Sequence, residues 1–113
     1  MASKSELVRQ LFSGWEQKDR AAVQTLLADD FSFTSPNEGD DHIDQAEYWR
    51  KCWPGSQVIQ SFLFLNLAED EDGVFIRYEC ELKDGKRFRN TEYIQVEGDK
   101  IRAVDVYFGR SIH

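Results

Sequence analysis

Cysteine, proline and histidine are scarce here, at two residues each in 113. Cys52 and Cys80 lie far apart without metal-type spacing, so no disulfide framework is expected. Each is read as a small buried hydrophobe, and the simplest compartment is a reducing cytoplasm. Long apolar runs are also missing. The longest, Phe62-Leu63-Phe64-Leu65, is far too short to cross a bilayer. The stretch Met1 to Glu6 is polar and runs directly into a helical pattern, so no signal peptide is expected. Positive charge is in the minority: the formal net charge is −7 and the isoelectric point about 4.8. Such a surface repels phosphate backbones and anionic membranes, so neither nucleic acid nor membrane is an expected partner. No glycine-rich phosphate loop or nucleophile elbow occurs.

What is present suffices for one core. Hydrophobic residues make up 41% and aromatics 13%, and no linker, repeat or low-complexity tract interrupts residues 1–113, which read as a single domain. A domain this small that also encloses a cavity sacrifices core volume, and dimerisation is a common way to recover burial.

Leu7, Val8, Leu11, Phe12 and Trp15 recur at helical spacing and predict a helix over Ser5–Lys18. Asp19 is the expected N-cap of a second helix, Arg20–Ala28, ended by Asp29-Asp30. Phe31–Thr34 alternates as a short strand, and Ser35-Pro36-Asn37-Glu38-Gly39 breaks it. An acidic loop then leads to Asp44, the cap of a third helix, Gln45–Trp53, which Pro54-Gly55 terminates. Four strands follow, Val58–Leu67, Val74–Leu82, Phe88–Val96 and Ile101–Gly109, joined by turns rich in Gly and Asp as an antiparallel meander.

Period-2 alternation sorts the side chains of the meander. Val74, Ile76, Tyr78, Cys80 and Leu82 share one face of their strand, so the interior takes them and Arg77 points outward. In the next strand Ile94 and Val96 must face the same interior, which carries Asn90 and Glu92 inward with them. A carboxylate among apolar side chains costs several kcal/mol unless paired, hydrogen-bonded or protonated. Glu92 is therefore the candidate acid/base residue, with a structural role at a wet sheet end or beside an arginine as the competing reading. The last strand is greasy on both faces, as expected of a sheet covered by helices on one side and a second subunit on the other.

This order of elements resembles the cone-shaped nuclear transport factor 2-like superfamily, which includes SnoaL-like polyketide cyclases and ketosteroid isomerases. The resemblance is carried by Leu7-Val8-Arg9-Gln10-Leu11-Phe12, Asp19, Leu26-Leu27-Ala28-Asp29-Asp30-Phe31 and Ser35-Pro36. Gly98-Asp99-Lys100-Ile101 and Val106-Tyr107-Phe108-Gly109 extend it across nearly the whole chain. It implies an α+β fold, with three N-terminal helices packed on a curved antiparallel sheet. It says little about chemistry, since the fold hosts many activities and none. Against ketosteroid isomerase, the base position falls on Ser35 and the helical tyrosine on Leu11; only the acid survives, as Glu92. A serine without a basic partner cannot take a carbon-bound proton at neutral pH, so steroid isomerisation by that route is not expected.

The resulting expectation is a homodimer, paired through the outer sheet face around Tyr93 and Tyr107, with a pocket for a small apolar, aromatic or polycyclic molecule. The wall is assigned to Trp15, Phe33, Ser35 and Trp49, together with Trp53, Tyr78, Asn90 and Phe108, with plain core packing as the competing reading of the helix aromatics Trp15, Trp49 and Trp53. An enzyme would be a cofactor-free isomerase, cyclase or lyase using Glu92; a non-catalytic binding module is the alternative. No metal site is expected, because Asp40-Asp41-His42 and Glu47 read as a solvated acidic loop at a helix N-terminus and no second histidine is near. The other histidine, His113, is terminal, which disfavours the histidine-dependent dehydratases of the superfamily. With Arg77 outward, the inward arginine–carboxylate group of an epoxide hydrolase is not expected either.

Overall fold

The computed structural model describes residues 2–112, Ile112 by its backbone alone; His113 lies outside the described residues. Helix α1 spans Lys4–Gln17, opened by the Ser3 side chain accepting from Glu6 N and closed by Lys18 at φ 58°. Helix α2 spans Arg20–Leu26, with Asp19 accepting from Ala22 N as expected of the cap. Strand β1 is Leu27–Thr34. Here the structure corrects the sequence reading: Asp29-Asp30 does not end a helix but belongs to the strand. Leu27, Phe31 and Phe33 bury together while β1 pairs with the last strand, and that tertiary pairing overrides local helix propensity.

Helix α3 is Gln45–Lys51, capped by Asp44, and a 3₁₀ helix takes over at Trp53–Val58. The expected α-helix to Trp53 stops earlier because Pro54 disfavours α geometry in the residue before it. Strands β2 (Ile59–Glu69), β3 (Gly73–Leu82), β4 (Arg87–Glu97) and β5 (Lys100–Ile112) form the antiparallel meander. The sheet order is β1-β5-β4-β3-β2, with β1 alone running parallel to its neighbour. The fold class is the expected one, helices packed on a curved five-stranded sheet.

Both faces of β3 match the alternation: Val74, Ile76, Tyr78 and Cys80 are buried, and Arg77 is exposed. In β5 the alternation holds only from Val104 to Tyr107, and Phe108, expected inward, is exposed beyond it. Ile101 is fully buried although its sequence parity matches the outer set. Between the pairs Gln95↔Ala103 and Val96↔Ile101 the register shifts, leaving Arg102 without an opposite residue. That bulge flips the side-chain phase and sends Arg102 outward to Asp30 and Glu97.

Strand β2 is an open edge, and α1 blunts it. Glu16 Oε2 accepts from Phe62 N at 3.0 Å and Lys18 Nζ donates to Ile59 O at 3.1 Å, satisfying edge groups that would otherwise invite another strand. Phe12 then packs edge-to-face on Phe62 and Tyr78, each with ring centroids 5.0 Å away. The helices thus cover the concave face without filling it.

Candidate functional site

Between α1, α3 and the concave sheet lies a cavity of about 170 Å³. Its wall is almost entirely apolar, and Glu92 is its only charged residue. Leu11, Phe12 and Trp15 come from α1; Tyr48 and Cys52 come from one face of α3 and its C-cap, four residues apart. The sheet contributes Phe62, Tyr78, Cys80, Phe88, Glu92, Val104 and Val106.

Glu92 stands opposite Ile76 in register and Asn90 opposite Tyr78, so the phenol and the carboxyl are diagonal neighbours on one face. Tyr78 OH donates to Glu92 Oε2 at 2.6 Å. Behind it, Asn90 Nδ2 donates to the Tyr78 hydroxyl at 3.3 Å and Asn90 Oδ1 accepts from Gly109 N at 3.1 Å. The chain of donors runs from the end of β5 toward the carboxyl. By surface area Glu92 is half-buried because the cavity it lines opens outward; its carboxyl is ringed by protein. That desolvation pushes its pKa up to about 7, against the opposing pull of the Tyr78 hydrogen bond. The same environment raises Tyr78 and Tyr48 well above the ordinary phenol range, chiefly by burial. Burial also lifts the Cys52 and Cys80 thiols to about 11, so both are inert at neutral pH.

The structure brings four of the assigned residues together with Glu92 in different ways. Trp15, Phe33 and Tyr78 line the cavity. Asn90 stands one step behind it as the Tyr78 partner. Ser35 and Phe108 lie instead in a neighbouring hollow that shares Phe33 and Cys52 with the cavity, and Phe108 is 52% exposed. Ser35 is occupied: its Oγ donates to Asp40 Oδ2 at 2.8 Å. Trp49 and Trp53 are not part of the cavity wall. Trp49 packs between Tyr48 and Trp53 with the Arg20 guanidinium 4.5 Å above its ring, and Trp53 packs on Trp15. Helix α3 turns a single stripe, Tyr48 and Cys52, toward the sheet, and Trp49 follows the adjacent stripe.

Tyr48 is the main residue missing from the sequence assignment. Its hydroxyl accepts from Trp15 Nε1 at 2.9 Å, which leaves its own proton free. The i, i+4 spacing of Leu11 with Trp15 and of Tyr48 with Cys52 was the available signal.

The acidic loop also differs from expectation. Asp40 is not solvated but 6% exposed, held by Lys51 Nζ at 2.9 Å and by Ser35. The Lys51 hydrogen bond leads in holding its pKa below the usual carboxylate value. His42 is exposed beside Asp41, and Glu47 pairs with Arg50 at 2.7 Å. Among the described residues no group of three or more His, Cys, Asp or Glu side chains is placed to hold a metal ion. No helix among them is long and apolar enough to cross a membrane.

The family model of the SnoaL-like domain matches residues 8–104. A nuclear transport factor 2-like protein of unknown function from Cytophaga hutchinsonii has a similar solved structure. The TM-score is 0.75 at 17% identity, over 96% of this chain and 91% of that one. A protein with a ketosteroid isomerase-like fold from Catenulispora acidiphila, solved in complex with trimethylamine, matches at 0.71 and 16% over 95% and 88%. A de novo designed protein with a curved sheet matches at 0.79 and 16% over 96% and 88%; at such identities the likeness is one of fold alone. No curated protein matches the chain.

Proposed function

The chain belongs to the SnoaL-like domain family, and from that premise we propose that it is a homodimeric binding protein. In this reading the cone receives one small, largely apolar or aromatic molecule, with Glu92 as its polar anchor. The observation that carries the reading is the Tyr78–Glu92 hydrogen bond set in an otherwise apolar cavity of about 170 Å³. A dry apolar cavity of roughly 150 Å³ is known to take benzene, so this volume suits one ring or a compact branched molecule. That size favours the single-ring end of the expected ligand range, and anything larger would extend through the opening toward the neighbouring hollow. The trimethylamine found with the Catenulispora relative is of that small size.

Trp15, Phe33 and Tyr78 form the wall, and Asn90 orients Tyr78. Ser35 and Phe108 belong to the approach rather than the cavity, and Trp49 and Trp53 brace Trp15 from behind. The dimer forms through the outer sheet face, where Phe75 and Tyr107 are 48% and 52% exposed and the Phe75 and Tyr93 rings lie 4.4 Å apart.

One observation favours a second reading, an isomerase-, cyclase- or lyase-type enzyme needing no cofactor. A carboxyl titrating at about 7 can both give and take a proton at neutral pH. The candidate role is proton transfer at Glu92 Oε1, with the Tyr48 and Tyr78 hydroxyls orienting the substrate. Glu92→Gln separates the readings, because it keeps the shape and removes the ionisable proton. A screen of single-ring ligands and substrates is run on both proteins. Turnover lost with binding retained supports the enzyme; binding altered with no turnover in either protein supports the receptor. Unchanged binding and turnover remove Glu92 from the function altogether.

A further inference from the structure

Among the described residues the carboxyl in the cavity has no counter-charge. The ion pairs recorded among the described residues involve Asp30, Asp40, Asp41, Glu47, Glu79, Asp84 and Glu97, never Glu92. Its one hydrogen-bond partner, Tyr78, occupies Oε2 and leaves Oε1 free. Glu92 lines the cavity, and Oε1 is not among the fully buried, unpartnered side-chain atoms of the described residues. Around it stand the rings of Phe12, Trp15, Tyr48, Phe62, Tyr78 and Phe88. Aromatic faces are electron-rich and attract cations, most strongly where water is excluded. A buried carboxylate without a counter-charge gains most from the same kind of guest. A neutral ligand would leave the ionised carboxyl without a counter-charge.

We propose that the cavity selects a small organic ammonium ion, its alkyl or benzyl part against the aromatic wall and its charge against Glu92 Oε1. The proposal rests on the cavity being a ligand site. No proton or electron is transferred; the ion pair forms and breaks reversibly. Binding requires the ionised carboxylate, and Glu92 titrates near neutrality, so affinity is coupled to pH. The groups facing Glu92 do not blur that coupling. Tyr78 from β3 and Tyr48 from α3 stay neutral, as do the Cys52 and Cys80 thiols. Glu16 and Asp40 act on Cys80 and Cys52 rather than on Glu92.

Calorimetric titration with benzylamine and its neutral isostere benzyl alcohol tests the assignment, repeated with isobutylamine and isobutanol to cover size. At pH 8 the amine is expected to bind at least tenfold more tightly than the alcohol. Between pH 8 and 5.5 its affinity should fall about thirtyfold, following protonation of a carboxyl with pKa near 7. In Glu92→Gln, checked for folding by circular dichroism, the amine preference should vanish while alcohol binding remains. Equal affinities at pH 8, or amine binding that tightens as pH falls, would overturn the ammonium assignment and leave the apolar cavity standing. If no amine or alcohol binds, the cavity reading fails and the proposal with it.

Discussion

The Tyr78 hydroxyl donates to Glu92 Oε2 at 2.6 Å across the β3–β4 ladder, one diagonal step inside the sheet. Two opposing effects meet at that bond. Desolvation favours the neutral acid, the phenol donor favours the carboxylate, and desolvation wins. The charge state of the cavity is thereby balanced near neutrality.

Because the folded-state pKa lies above the ordinary value of 4.5, native Glu92 holds a proton that the unfolded chain has released between pH 4.5 and 7. Stability contributed by this group therefore falls as pH rises through that window and levels off above it. Relative to wild type, Glu92→Gln should gain roughly 2 kcal/mol between pH 5 and pH 8, at about 1.4 kcal/mol per pKa unit. Urea unfolding of both proteins at the two pH values measures the difference. A constant offset would show that Glu92 titrates normally.

Tyr78→Phe removes the donor that favours the charged form. The Glu92 pKa should then climb above 7, and loss of the hydroxyl should cost about 1 kcal/mol because Asn90 Nδ2 also loses its acceptor. Carbon-13 NMR titration of the Glu92 carboxyl reads the first effect and denaturant unfolding the second. A downward shift would contradict the assigned direction of the hydrogen bond.

Lys51→Met strips the counter-charge from buried Asp40 and should destabilise the protein by about 2 kcal/mol at pH 7, less than a fully enclosed pair because Lys51 is partly exposed. Asp40 has a depressed pKa, so its contribution is present above the ordinary 3.8 and lost as pH falls through the lower folded value. The variant's deficit should therefore shrink toward pH 3. Adding Asp40→Asn should recover part of the loss at pH 7. Thermal melts across pH follow both trends.

The outer face predicts association. Sedimentation velocity at micromolar concentration should give a dimer, and Phe75→Glu, placing a charge on the exposed ring pair with Tyr93, should give a monomer of unchanged circular dichroism. Monomer in the wild type would remove the interface.

Local pattern was enough for much of this molecule. The Asp19 and Asp44 caps, the amphipathic face of α1, and the inward set Tyr78, Cys80 and Ile94 follow from caps and periods that a few neighbouring residues write by themselves. So did the inward placement of Glu92. What sequence spacing left open was non-local. Asp29-Asp30 lies in a strand because the residues on either side of it, Leu27 and Ser32 to Thr34, pair with β5, and Ile101 turns inward because one extra residue in β5 resets the phase. Trp15, Tyr48, Trp49 and Trp53 are all aromatic positions on or beside two helices, and only the packing of those helices on the sheet separates wall from brace. Periodicity is a property of one segment, whereas a cavity and the charge balance inside it arise between segments. The sequence by itself determined the elements, their inner faces and the presence of a buried acid. Tertiary structure decided the cavity's size, the Tyr78 hydrogen bond, and the absence of a cation beside Glu92 among the described residues.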